Sequence, residues 1–546
     1  MKQPNTPWDR RVQFRAKSTE SGYAYRPNEV IAPRSALAAI ATRLGREVDD
    51  LSVDLVIDRR TAAAKGEQAG DDPSPEDLVL VRGVPDPVAV VGELRAAGYL
   101  ARVNHVLFAH PVAGPNAGGT PYPGGTPYPG GTPYPGGTPY PGGTPYPGGT
   151  PYPGGTPYPG GTPYPGGTPY PGGTPYPGGT PYPGGTPYPG GTPYPGGTPY
   201  PGGCGRGCGC ESDCGAWTGQ VVSPRESTAA PAVAPFPDEL SRRQPRTDVS
   251  CRVLVIDTGG SVEIFRAGAH ESTAAPGAKR ALELLEKSVV PTPPPDPDDN
   301  RDVWDGDHNL VLDPAAGHGT FIAGIIGNLA PGAEVTCVKA LSSYGDTDDA
   351  EIARTLLEQF PYDGSDEPPY DIVTMSFGGF CDEDDPPIAI ASAIATIQAR
   401  YNGNGDEAGD LIRDRVVFIA SAGNDSSCRP TWPASFENVI GVGALGPHGP
   451  APFTNYGPWV NACAPGVDVV STFFDLGDEA SHDGEDFDGW AVWSGTSFAG
   501  PIVAAAIAWE WMGRNTEGRP GDAAAWLLDR PGHFRYPGLG TVVNTP

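Results

Sequence analysis

Residues 118–203 repeat one hexapeptide of the type Pro-Tyr-Pro-Gly-Gly-Thr, with units that begin at Pro121 and recur every six residues to Pro199. Each unit holds two prolines and two glycines. Proline removes a backbone donor and glycine offers no side chain to pack, so the array continues neither a helix nor a central strand. Tyrosine is its one large apolar group, too little for a packed core. Glycine does not fall at every third position, which excludes collagen, and the period is too short for a helical solenoid. The array reads as a linker of mixed polyproline and turn character. As a flexible chain, its 86 residues span roughly 50 Å root-mean-square. A tyrosine-rich recognition array is the alternative. Folding is left to the sequence on either side.

On the N-terminal side, residues 1–27 are polar and expected to be flexible, and residues 28–115 carry a compact pattern. Glu29–Ala32 reads as a strand and Ser35–Leu44 as a helix, with apolar residues at Leu37, Ile40 and Leu44. Leu51–Ile57 and Asp77–Arg82 read as strands. Asp86–Ala97 reads as a helix with Pro87 in its first turn and Gly98 at its end, and Ala101–Ala109 as a last strand. The order β-α-β-β-α-β predicts a small ferredoxin-like α+β domain.

Residues 204–248 begin with Cys204, Cys208, Cys210 and Cys214 and continue as a second linker. Four thiols so close together could wrap a zinc ion, although C-x3-C-x-C-x3-C is not a zinc-ribbon spacing. Local disulfides or free thiols are the alternatives. The nine cysteines are an odd number, and the first residues lack the apolar run of a secretory signal. A reducing, cytoplasmic location is expected, with export by a non-classical route as the alternative. A net charge of −29 argues against nucleic-acid and anionic-membrane partners, which need a basic footprint.

From residue 249 to 546, apolar strands alternate with helical segments, which predicts an α/β fold with a doubly wound, mainly parallel sheet. Sites in such sheets lie at the carboxyl ends of the strands. Asp257 ends the strand Val-Leu-Val-Ile-Asp. His318 stands in a helix otherwise made of small and apolar residues. Ser497, in Gly-Thr-Ser-Phe-Ala-Gly-Pro, precedes the apolar run Ile502–Met512. A helix N-terminus favours a developing negative charge, which suits an acyl-transfer nucleophile. Singly, these residues could be a strand-end cap, a packed core histidine and an N-cap. Jointly, they supply the acid, base and nucleophile of a triad.

At these residues the chain resembles the subtilisin-like serine peptidases. The matching strings are VIDTG at 255–259, GHGTFIAGIIG at 317–327, MSFGG at 375–379, ASAGND at 420–425 and GTSFAGPIVAAA at 495–506. The order Asp, His, Ser is the one subtilisin uses. The resemblance implies that Ser497 is the nucleophile, His318 the general base and Asp257 its orienting carboxylate. It implies an oxyanion hole from the Asn424 amide and the Ser497 backbone N–H. It also implies that Ser376, Phe377 and Gly378 line an extended substrate, and that Ser421, Ala422 and Gly423 help wall the primary pocket. Phe377 and Phe498 differ from common family residues there, and an apolar side chain before the scissile bond is expected.

No cofactor is implied for the chemistry. Acidic insertions at 291–308, 381–387 and 475–489 could bind structural calcium. Residues 28–111 resemble the family's propeptide, and VNHVLFAHP resembles the tail that such a domain lays in the cleft. The expected partners are a protein or peptide substrate and the chain's own N-terminal domain, acting as an inhibitor in cis. A catalytically silent scaffold that recruits partners through the array is the alternative.

Overall fold

The computed structural model describes residues 12–15, 22–58, 76–109, 250–260, 289–290, 301–306, 312–361, 364–365, 367–402, 415–474, 490–513, 519–529 and 533–543. The hexapeptide array, the 204–214 cysteines, the 475–489 insertion and most of the 291–308 insertion fall outside them. Residues 1–111 and 222–546 group into one compact unit.

Its N-terminal part contains β1 (Gln13–Arg15), β2 (Tyr23–Pro33), α1 (Leu37–Leu44), β3 (Ser52–Ile57), β4 (Leu78–Arg82), α2 (Pro87–Ala96) and β5 (Arg102–Ala109). The strands form an antiparallel sheet in the order β5-β2-β4-β3, with β1 on β2. Strand β2 starts at Tyr23, within the stretch expected to be flexible. Its early residues look polar, yet Tyr23, Tyr25 and Arg26 are buried because the aromatic rings pack and the guanidinium is paired. Helix α1 stops at Gly45, whose φ of 63° is a left-handed cap. Helix α2 starts where Asp86 accepts the Ala89 N–H at 3.1 Å.

The faces of this sheet go to different cores, because successive strand residues point to opposite sides. Val30, Val79 and Val81 pack with Ile40, Val90 and Leu94 of the two helices. Ile31, Leu78 and Leu80, with Val56 and Ile57, join the core of the C-terminal part.

That part contains β6 (Cys251–Asp257), β7 (Val289–Val290), α3 (His318–Leu329), β8 (Ala333–Lys339), β9 (Asp346–Asp348), α4 (Asp349–Gln359), β10 (Ile372–Met375) and β11 (Phe377–Gly378). Next come α5 (Ile388–Asn402), β12 (Val417–Ser421), β13 (Ile440–Gly446), β14 (Gly449–Pro450), β15 (Val460–Pro465), β16 (Val469–Thr472) and β17 (Trp490–Trp493). The chain ends with α6 (Thr496–Gly513), α7 (Pro520–Asp529), β18 (Arg535–Tyr536) and β19 (Gly540–Val542).

The main sheet runs β19-β15-β13-β12-β10-β6-β8-β7, parallel throughout, with β14 and β18 added antiparallel. The first strand, β6, lies inside the sheet: the chain builds β7 and β8 on one side, then returns to β10 on the other. This reversal opens a crevice at the carboxyl end of β6, where Asp257 stands. Leu254, Ile256, Val373 and Met375 pack in one core with α4 and α5. Helices α3 and α6 pack together against the sheet. No helix among the described residues is long and apolar enough to cross a membrane.

Strand β5 joins the two parts. Its first half pairs with β2, through His105 and Tyr25 and through Val103 and Val30. Its second half lies between β9 and β11: Val106, Leu107 and Phe108 oppose Asp348, Thr347 and Asp346, while Phe108 and Ala109 oppose Gly378 and Phe377. The Ala109 N–H donates to the Gly345 carbonyl at 2.7 Å.

Candidate active site

Asp257, the last residue of β6, is fully buried. Its Oδ1 receives the Thr258 N–H at 2.8 Å and lies 2.7 Å from His318 Nδ1. The carboxylate thus selects the tautomer with the proton on Nδ1 and leaves Nε2 as the acceptor. Nε2 is buried and has no hydrogen-bond partner.

His318 is the first residue of α3, and its cap, Gly317, has no side chain to serve the helix end. The missing acceptor comes from a distant loop. Asp302 Oδ1 accepts the Gly317 N–H at 3.1 Å, and Oδ2 accepts the Thr320 N–H at 3.2 Å and the Thr320 hydroxyl at 2.8 Å. Burial pushes the Asp302 carboxyl up to about 6, against the opposing pull of these hydrogen bonds. Glycine at 319 is a steric requirement, since a Cβ there would lie 2.1 Å from the Gly259 carbonyl oxygen. The histidine helix can therefore close on the strand that carries Asp257.

Ser497 is the second residue of α6, a helix that starts before the apolar run Ile502–Met512 and includes Pro501. Pro501 has no N–H to offer the carbonyl four residues back. That carbonyl, of Ser497, instead accepts the Ser376 hydroxyl at 2.9 Å. In return the Ser497 hydroxyl donates to the Ser376 carbonyl at 3.1 Å rather than to the imidazole. The start of α6 is thereby locked to the residue between β10 and β11.

Asn424 follows β12. Its Oδ1 accepts the Thr496 N–H at 3.0 Å and the Thr496 hydroxyl at 2.9 Å. The atom facing a backbone N–H must be the oxygen, so the amide NH₂ is turned away from Thr496. Ser421, Ala422 and Gly423 are buried, and the Gly423 N–H reaches the Thr496 hydroxyl at 3.1 Å. Asn455, which sequence patterns do not single out, braces this loop. Its side chain accepts the Asp425 and Ser427 N–H groups at 2.8 and 3.0 Å and donates to the Ala422 carbonyl and the Thr431 hydroxyl, both at 3.0 Å. A Cβ at Gly423, where φ is 103°, would lie 2.4 Å from Asn455 Nδ2.

Phe498 packs beside the imidazole. It is fully buried, 5.5 Å from the His318 ring and 4.6 Å from Phe321 between centroids. Trp493 stands nearly perpendicular to His318 at 5.6 Å. A helix residue adjoining an inward-facing serine has few directions open to it, and this one turns into the aromatic packing around the histidine. The wall keeps water from the imidazole and strengthens its bond to Asp257. Phe377 is also fully buried, in the core that takes up Leu107 of β5.

The insertion at 381–387 holds cationic side chains rather than a metal cluster. Asp385 meets Arg95 at 2.6 Å and Arg102 at 3.0 Å, and Asp384 pairs with Arg429. Among the described residues no group of three His, Cys, Asp or Glu side chains is gathered as a metal ion requires. Nearby, His105 of β5 is fully buried, and its Nε2 accepts the Asp382 N–H at 3.2 Å. Across β5, Arg26 of β2 bridges Asp346 at 2.8 Å and Asp348 at 3.0 Å.

Fold and site together define a class: a doubly wound α/β protein with a strand-end carboxylate, a helix-borne imidazole and a serine at the start of the facing helix. The model of the subtilase family matches residues 252–530, just over half the chain. The chain belongs to the subtilase family. It is similar to the "Thermophilic serine proteinase" of Bacillus sp. (strain AK1), 32% identical over 202 residues, which covers 35% of this chain and 41% of that one. It is also similar to "Subtilisin Savinase" of Lederbergia lenta, 29% identical over 202 residues, or 35% of this chain and 62% of the relative. The chain thus spans less than two thirds of either relative. A solved "cold adapted subtilisin-like serine proteinase" overlaps 57% of this chain and 99% of its own, at 20% identity and a TM-score of 0.36.

Proposed function

We propose that this chain is a serine endopeptidase that works through Asp257, His318 and Ser497, and that its N-terminal part restrains it in cis. The observation that carries the reading is the Asp257–His318 pair at 2.7 Å with Nε2 left as a buried, unpartnered acceptor. In the proposed reaction, Ser497 Oγ turns from the Ser376 carbonyl to His318 Nε2 and gives up its proton as it attacks the scissile carbonyl. Asp257 stabilises the imidazolium. The Asn424 NH₂ and the Ser497 N–H receive the oxyanion, a kind of contribution that is usually large. His318 then protonates the leaving amine, and water, activated by the same Nε2, releases the acyl group.

The restraint is supported by β5, which fills the strand position between β9 and β11 where an extended substrate would add by sheet pairing. Even a nicked tether would leave the N-terminal part docked by contacts alone. A cytoplasmic location remains part of the proposal; fractionation of the native cells addresses it.

The direct test is hydrolysis of an unfolded protein by the full chain beside its Ser497→Ala variant. Cleavage by the first and none by the second is expected. Equal cleavage by both removes the peptidase reading, and so does cleavage by neither if Ser497 also fails to react with a small fluorophosphonate that does not need the strand position held by β5.

A further inference from the structure

We infer that Asp346 and Asp348 recognise a basic side chain on the strand that occupies the cleft, so that the substrates are extended segments with arginine or lysine at the register positions of Val106 and Phe108. The inference deepens the peptidase reading and rests on it.

Directly opposed residues of an antiparallel pair share a face of the sheet. Val106 opposes Asp348 and Phe108 opposes Asp346, so these four side chains lie on one face of the cleft strand and its neighbour. Leu107 and Thr347 lie on the other, where Leu107 enters the apolar core. A side chain at either of the first two positions therefore shares its face with a carboxylate. Neither carboxylate is at a loose surface: Asp348 is fully buried and the Asp346 side chain is 20% exposed.

A guanidinium already sits there. Arg26 Nη2 meets Asp346 Oδ2 at 2.8 Å, and Arg26 Nε meets Asp348 Oδ2 at 3.0 Å. Burial opposes the charge on Arg26, and the two carboxylates overcome it, raising its pKa. Arg26 belongs to β2, not to the cleft strand. The counter-charge of the cleft is thus supplied by the N-terminal part and leaves with it.

The carboxylates are held in place independently of Arg26. Asp348 Oδ1 caps the Glu351 N–H at 3.1 Å, and Asp346 Oδ1 accepts the Ser342 hydroxyl. Each thus keeps its Oδ2 directed at the place the cation occupies. A strand that displaces β5 with neutral residues at both positions leaves two neighbouring carboxylates without their cation, where they repel each other. One with arginine at those positions restores the pairing by directing guanidinium N–H groups at the two Oδ2 atoms.

The test uses the full chain and two heptapeptide p-nitroanilides. One copies the sequence 104–110, and the other differs only by V106R and F108R. The arginine peptide is expected to show kcat/KM about tenfold higher, through KM. The advantage should widen in Arg26→Ala and shrink to within about twofold in Asp346→Asn/Asp348→Asn, whose amides keep the Oδ1 acceptors. Equal kcat/KM for both peptides, or an advantage that survives the double Asn variant, overturns the inference. Binding of the same two sequences, fluorescein-labelled, to Ser497→Ala is followed by anisotropy. If neither p-nitroanilide is hydrolysed and Ser497 also stays unlabelled by a small fluorophosphonate, the peptidase reading fails. In that case tighter binding of the arginine peptide supports acidic recognition on its own, and equal binding overturns it.

Discussion

His318 and His105 are both fully buried, and their surroundings are opposite. His318 faces the Asp257 carboxylate through Nδ1, among Trp493 and Phe498. His105 lies in the seam between β5 and the 381–385 loop. Its Nδ1 has no hydrogen-bond partner, and its Nε2 accepts the backbone N–H of Asp382. Tyr23 of β2 stacks edgewise on it at 5.6 Å. Burial first, then the positive charges of Arg102 and Arg429, lower its pKa from 6.5 to about 3. Burial alone does not decide what a histidine does. A carboxylate on Nδ1 orients one ring with Nε2 as its acceptor, whereas a donated N–H and two arginines hold the other neutral.

The largest expected effect comes from breaking the first environment. Asp257→Asn removes the carboxylate and allows the wrong tautomer, so kcat for peptide hydrolysis should fall by about 10⁴ with KM little changed. A loss of tenfold or less would mean that His318 does not depend on Asp257.

The second environment predicts a smaller, pH-dependent effect on docking. His105 is depressed when docked, so the released N-terminal part binds more protons than the docked one between about pH 6.5 and pH 3. Docking is therefore at full strength above about pH 6.5, and each unit below weakens it by up to about tenfold. Hydrogen exchange of β5 in the full-length Ser497→Ala protein, compared at pH 7.5 and 5.5, reads this without interference from catalysis. Protection should fall at the lower pH, and the fall should be smaller in His105→Gln. The same fall in both would assign the pH dependence to the carboxylates of the seam instead.

Much of this architecture was legible in the sequence. The helix Leu37–Leu44 follows from its apolar spacing, and β4 from an unbroken run, Leu78 to Val81, that both cores share. The Asp257, His318 and Ser497 motifs sit on conspicuous local signals: a strand end, a small-residue helix and a turn before an apolar run. The rest depends on contacts that span tens or hundreds of residues. Asp302 serves a helix 16 residues away, and nothing in its acidic insertion marks it among the neighbouring carboxylates. Asn455 stands in an irregular loop and gains its role from another loop about 30 residues earlier. The Arg26 contact with Asp346 and Asp348 joins positions more than 300 residues apart, across the repeat array. The 381–387 insertion reads as a metal loop in composition, yet its partners are arginines from other segments. Local pattern finds elements and motifs, but not the partner of a buried charge.

The most direct test of the account is covalent labelling of the full chain with a fluorophosphonate, followed by peptide mass mapping. A single adduct on Ser497, absent in Ser497→Ala and formed far more slowly in Asp257→Asn, is the predicted result. Labelling that persists in Ser497→Ala, or an unlabelled wild-type serine, would contradict it.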